Sequence, residues 1–130
     1  MATNFDFRDK ACGSLISEIG VYVLCDLDKT PMYVGQSKDG IRSRVRRHLT
    51  SARSDIIANR QIDVWEIAYV MAYPVADRAD ITPLEDRLYH QFNDVSPLMN
   101  GTVPPRPEAV MELPEPAQIV QVMSDAEIAD

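Results

Sequence analysis

The sequence predicts an α/β fold, and three features of its 130 residues carry that expectation. Two short β-rich runs, residues 20–27 and 31–35, flank a tight polar turn. Two later segments place apolar residues at helical spacing, and a longer run rich in Val, Ile, Trp and Tyr separates them. Beyond Pro97, prolines and acidic residues take over, so an irregular tail is expected there.

Residues 20–27, GVYVLCDL, read as a strand that runs into the turn Asp28-Lys29-Thr30-Pro31. Residues 31–35, PMYVG, form the second strand, and so short a connection favours an antiparallel hairpin. Such a hairpin brings Tyr22 and Tyr33 into one neighbourhood. After the loop 36–40, a helix is predicted over residues 41–52, with Ile41, Val45 and Leu49 as its apolar stripe and arginines on its other faces. Arg44 and His48 are four residues apart and therefore stack on one face of this helix. Residues 62–73, IDVWEIAYVMAY, read as a third, central strand ending at Pro74. A second helix is predicted over residues 82–93. Thr82 is its N-cap, Pro83 its first helical residue, and Glu85, three after the cap, completes a capping box. Leu84, Leu88 and Phe92 should face the core. Residues 1–103 then form one domain and residues 104–130 an acidic Pro-rich tail, with room for a short helix or strand over residues 117–123.

The net charge of −7 argues at first against a nucleic-acid partner, because phosphate binding needs clustered Lys and Arg. Its distribution reverses that argument. Between Gln36 and Arg60 seven basic residues face two acidic ones, a net of +5, whereas from Pro104 onward one arginine faces six carboxylates, a net of −5. Arg42, Arg46 and Arg47 surround Arg44 and, with Lys38, could track a phosphate backbone. The acidic tail reads first as a disordered solubilising segment; its opposite charge also suits a segment that lies across the basic one or recruits a protein partner.

Cys12 and Cys25 form no CxxC pair and neighbour no histidine, so both read as buried thiols rather than a metal or redox site. No stretch approaches the roughly 18 consecutive apolar residues of a transmembrane helix. Asp6, Arg8, Asp9 and Lys10 stand where an export signal needs an apolar run. A cytoplasmic protein without membrane contact is expected.

Hydrolysing a phosphodiester requires an attacking water, a group to take its proton, positive charge beside the non-bridging oxygens and help for the leaving oxygen. Tyr22 and Tyr33 are phenols, Arg44 and His48 supply a cation and an imidazole, and Glu85 is a hard oxygen ligand suited to Mg²⁺. Gly20-Val21-Tyr22, Tyr33-Val34-Gly35, Arg44 followed by His48, Glu85 and Asn100 resemble the GIY-YIG nuclease family in order, type and spacing. The resemblance spans about residues 20–100 and implies a small antiparallel or mixed three-stranded sheet flanked by helices. It implies that Tyr22 activates the water with Tyr33 beside it, and that Arg44 stabilises the transition state. His48 is implied as an accessory residue, Glu85 as the single metal ligand and Asn100 as the residue that orders the site. Val21 and Val34 replace isoleucines by residues of similar volume. Gln36 stands where several members carry a lysine, a charge that Lys38 could replace, and Gly40 lengthens the loop before the helix.

Each residue has a plainer reading when taken alone. Glu85 is also explained by its capping box, Asn100 by a turn before Gly101, and Asn93 competes for the role of Asn100. Residues 35–40 look like a phosphate loop but lack the GK[ST] ending. The expectation is a metal-dependent endonuclease that hydrolyses DNA with one Mg²⁺ or Mn²⁺ ion and tyrosine-assisted attack of water, RNA being a second candidate substrate. The alternative is a non-catalytic nucleic-acid-binding module of the same fold. A monomer would nick one strand, and cutting both would need a homodimer.

Overall fold

The computed structural model describes residues 4–50, 67–95 and 115–123. Helix α1 (Asn4–Cys12) is followed by strands β1 (Gly20–Cys25) and β2 (Pro31–Ser37), helix α2 (Ile41–Thr50) and strand β3 (Tyr69–Pro74). A 3₁₀ turn (Arg78–Asp80) then leads into helix α3 (Ile81–Val95), and strand β4 (Gln118–Gln121) completes the set. The four strands form one antiparallel sheet in the order β2-β1-β3-β4. The expected end of α2 at residue 52, the start of the third strand at residue 62, and Asn100 lie outside the described residues.

The hairpin forms as expected, but β1 stops at Cys25 rather than at residue 27 because Asp26 ends it. The Asp26 carboxylate accepts hydrogen bonds from the backbone N–H groups of Asp28 and Thr30, both at 2.9 Å, and Lys29 adopts φ 62°. The resulting register sets Tyr22 opposite Gly35 and Leu24 opposite Tyr33.

Strand alternation sends side chains to two cores, one on each face of the sheet. Tyr22 and Leu24 pack with Ile41, Val45 and Leu49 of α2, so the predicted apolar stripe is the buried one. Val21, Val23 and Cys25 pack with Ile81, Leu84 and Leu88 of α3, with Phe92 partly buried against them. Each aliphatic side chain buried in this way contributes about 1.5–3 kcal/mol. β1 is therefore buried on both faces, and α2 and α3 cover opposite sides of the sheet.

Three expectations need correction. First, the sheet has four strands rather than three: the fourth comes from within the acidic tail, where Gln118–Gln121 pairs with β3. The Gln118 amide also stitches this strand to the segment after α1, accepting from the Ile16 N–H at 2.8 Å and donating to the Ser14 carbonyl at 2.9 Å. Second, the capping box does not form. The helix begins at Ile81, Asp77 caps the preceding 3₁₀ turn by accepting from the Ala79 N–H at 2.9 Å, and Glu85 bonds elsewhere. Third, α1 has no counterpart in the sequence reading. Its buried positions one turn apart are Arg8 and Cys12, a pair that hydrophobic periodicity does not flag.

α1 packs on α2 through polar contacts. Arg46 donates to both Asp9 carboxylate oxygens at 2.7 and 2.9 Å, and Arg42 Nε donates to the Leu15 carbonyl at 2.7 Å. The first backbone donors of α2 need no side-chain cap, because Ile41 and Arg42 donate to the carbonyls of Glu18 and Ile16.

Candidate functional site

The site begins with Tyr22, whose ring is fully buried on the α2 face of β1. Its register partner Gly35 leaves it room. A Cβ at position 35 would sit 2.5 Å from the Tyr22 hydroxyl and would overlap the ring, so a glycine is needed where the phenol crosses β2. Tyr33, two residues before Gly35 and hence on the same face, places its ring 6.4 Å from that of Tyr22, tilted by 30°.

The strand then passes through Gln36 into a turn built by Ser37. The Ser37 hydroxyl donates to the Gly40 carbonyl at 2.7 Å and accepts from the Gly40 N–H at 2.9 Å. Gly40 has φ 133°, and a Cβ there would lie 2.7 Å from the Ser17 carbonyl oxygen. This tight connection starts α2 immediately after β2 and sets Arg44, one turn into the helix, beside Tyr22. Gln36, Ser37, Lys38, Asp39 and Arg44 line an open cleft of about 270 Å³.

Glu85 enters from α3 on the opposite face. Its carboxylate Oε1 accepts from Gln36 Nε2 at 3.3 Å, and it lies close enough to Tyr22 to influence that phenol. Burial, aided by Asp86, raises the pKa of Glu85, and the Gln36 hydrogen bond opposes the rise. Burial also pushes the Tyr22 phenol well above its ordinary value, with Tyr33 adding to the push and Arg44 opposing it, so Tyr22 is neutral at pH 7.

Tyr22 Oη, Gln36 Oε1 and Arg44 Nε are all buried and have no hydrogen-bond partner among the described residues. Such groups cost about 1–3 kcal/mol each, and native proteins keep few of them. Gln36 and Arg44 line the cleft and Tyr22 lies beside Arg44, so the three fall in one region.

Tyr33, Arg44 and Glu85 thus all lie near Tyr22. His48 lies one turn beyond Arg44 on α2, and its side chain is not among those described. Asn93 is partly buried on α3. The basic residues divide into two groups. Lys38 is exposed at the cleft and Arg47 is exposed on α2, whereas Arg46 bonds Asp9 of α1 and Arg42 bonds the Leu15 carbonyl in the segment after it. Sequence reasoning overlooked Arg78, whose guanidinium donates to the Lys38 carbonyl at 3.0 Å and joins the rim of the cleft. It sits in a polar turn 40 residues from Lys38, and no local pattern marks it. Gln36 entered only as a departure from a motif, though it links β2 to Glu85.

No group of three or more His, Cys, Asp or Glu among the described residues is arranged to hold a metal ion. The oxygen donors here are the exposed Asp39 carboxylate lining the cleft, the half-buried Glu85 carboxylate bonded to Gln36, and the unpartnered Gln36 amide oxygen. They fit Mg²⁺, which binds through one or two carboxylates and keeps several waters. No helix among the described residues is long and apolar enough to cross a membrane.

The structure is thus an α/β domain, a four-stranded antiparallel sheet with helices on both faces, with two phenols, an arginine and a carboxylate grouped near one cleft. The family model for the GIY-YIG catalytic domain matches residues 18–98, and the chain belongs to that family. No curated protein and no solved structure matches the chain.

Proposed function

We propose that this protein is a metal-dependent endonuclease that hydrolyses phosphodiester bonds of DNA at the Tyr22, Arg44 and Glu85 cleft, with one Mg²⁺ or Mn²⁺ ion. The observation that carries the reading is that Tyr22 Oη, Gln36 Oε1 and Arg44 Nε are buried and unpartnered among the described residues, with Gln36 and Arg44 lining the cleft and Glu85 hydrogen-bonded to Gln36. These are two acceptors and a donor with unused capacity where a phosphate and its attacking water would sit.

Glu85 would hold the metal ion, which when bound supplies positive charge beside the non-bridging oxygens. Arg44 presents its guanidinium to the same phosphate and stabilises the charge that grows as the new oxygen–phosphorus bond forms. Tyr22 is held neutral by burial, so it would take a proton from the attacking water as its own passes to a phosphate oxygen of the substrate, acting as a relay rather than as a phenolate. Tyr33 is the neighbouring phenol. His48 and Asn100 complete the set by family resemblance. Lys38 and Arg78 extend the cationic rim for the strand that enters the cleft. A monomer with one such site cuts one strand per engagement.

Incubating the protein with supercoiled plasmid, single-stranded DNA and RNA, in Mg²⁺ and then in EDTA, tests the reading. Nicking in Mg²⁺ that EDTA abolishes is expected. Arg44→Ala and Glu85→Ala should each reduce cutting at least about 100-fold while circular dichroism stays unchanged. Metal-independent DNA binding with no cleavage of any substrate would identify a binding module instead.

A further inference from the structure

We propose that Gln36 is the positioning residue for the divalent ion, its Nε2 aiming the Glu85 carboxylate and its Oε1 accepting a hydrogen bond from a water that the ion carries. The inference rests on the reading of Glu85 as the metal ligand and goes beyond it, because it assigns work to a residue that the resemblance marks only as a departure.

The observations come from both ends of the Gln36 amide. Nε2 donates to Glu85 Oε1 at 3.3 Å across 49 positions of sequence, and this is the contact that ties β2 to α3 at the cleft. The bond restrains the direction of a half-buried carboxylate that would otherwise rotate freely. Oε1 is buried without a partner among the described residues, and Gln36 lines the cleft. Exchanging the two amide atoms would not relieve this. It would set an oxygen against the carboxylate oxygen and bury two N–H donors in place of one acceptor.

A magnesium-type ion held by one carboxylate retains several waters, and each carries protons that need acceptors. The residues that orient a metal's ligands and waters commonly matter about 10–100-fold for affinity. Gln36 offers the required pair in one side chain, a donor for the ligand and an acceptor for the water. A lysine at this position could donate to Glu85 but could not accept, and its charge would oppose the cation.

The test is Mn²⁺ binding to the metal-free full chain, followed by calorimetry and by the paramagnetic resonance signal of free Mn²⁺. Wild-type protein should bind Mn²⁺, and Gln36→Ala should weaken binding about 10-fold or more. Gln36→Lys, which keeps a donor, should lose at least as much, whereas Gln36→Glu, which keeps an acceptor, should bind within a few-fold of wild type or more tightly. Should Gln36→Ala fail to fold, Gln36→Lys carries the same test. Unchanged affinity in Gln36→Ala or Gln36→Lys, with affinity lost in Glu85→Ala, overturns the role of Gln36 and leaves the metal ligand standing. If Glu85→Ala also binds normally, or wild type binds no Mn²⁺, the metal reading itself fails and this inference with it.

Discussion

Tyr22 carries a hydroxyl that folding buries beside an arginine nitrogen in the same unpartnered state. In a core selected for stability alone, phenylalanine would serve better, because it fills the same space opposite Gly35 without an orphaned oxygen. Tyr22→Phe should therefore separate stability from activity. Stability should hold or rise by about 1 kcal/mol, because an unsatisfied polar group is removed. Cleavage should fall about 100-fold or more, the usual scale for removing a proton-transfer group. Denaturant unfolding and plasmid nicking measured on one preparation decide it, and normal nicking in Tyr22→Phe would remove the phenol from the mechanism. At this scale the sequence was informative where chemistry follows spacing. Tyr22 and Tyr33 meet because a hairpin register brings them together, and Arg44 follows from a helix that starts directly after that hairpin. Gln36 was not legible, because its role depends on meeting Glu85, 49 residues away on α3, which no local pattern encodes. The capping-box reading of Glu85 failed for a related reason: Gln36 takes the carboxylate, and Asp77 supplies the cap one turn earlier.

Among elements, α2 buries the stripe that its pattern predicts and divides its arginines between different partners. Its stripe of Ile41, Val45 and Leu49 is buried as expected. The sequence could not show which arginines remain available to a partner, because that is settled by α1, whose buried face contains Arg8 in place of a further apolar residue. Arg46 turns toward α1 and Arg42 toward the segment after it, while Lys38 and Arg78 meet through the Lys38 carbonyl. The phosphate track of the proposed substrate should accordingly follow Arg44, Lys38 and Arg78 rather than run along the helix. Measured on single-stranded DNA, the slope of log affinity against log salt should become shallower by about 1 for Lys38→Ala and for Arg78→Ala, one phosphate contact each. Arg42→Ala and Arg46→Ala should leave it unchanged. The opposite ranking would return the track to the helix.

For the whole molecule, the question is where the folded body ends and the acidic tail begins. Composition placed that change near residue 104, since prolines and carboxylates dominate beyond it. The strand Gln118–Gln121 escaped firmer prediction because four residues with two glutamines show little alternation, and it forms only by adding to the exposed side of β3. Val122 is nevertheless fully buried in the α2-side core and its N–H donates to the Ala68 carbonyl at 2.8 Å, so the chain after residue 117 is part of what supports Tyr22. Two truncations with different outcomes follow. Ending the chain after Pro107 removes β4 and Val122 together with all six tail carboxylates, and should lower unfolding free energy by at least the roughly 1.5–3 kcal/mol of one buried aliphatic side chain. Ending it after Met123 keeps β4 and removes Asp125, Glu127 and Asp130, so stability should be retained. If the terminal carboxylates screen the cationic cleft, this shorter cut should raise DNA affinity at low salt, with the gain vanishing as salt rises. Equal affinity of the full chain and the Met123 truncation at low salt would exclude these three carboxylates as a shield. A drop in melting temperature after the Met123 cut would show instead that the folded body extends further than β4.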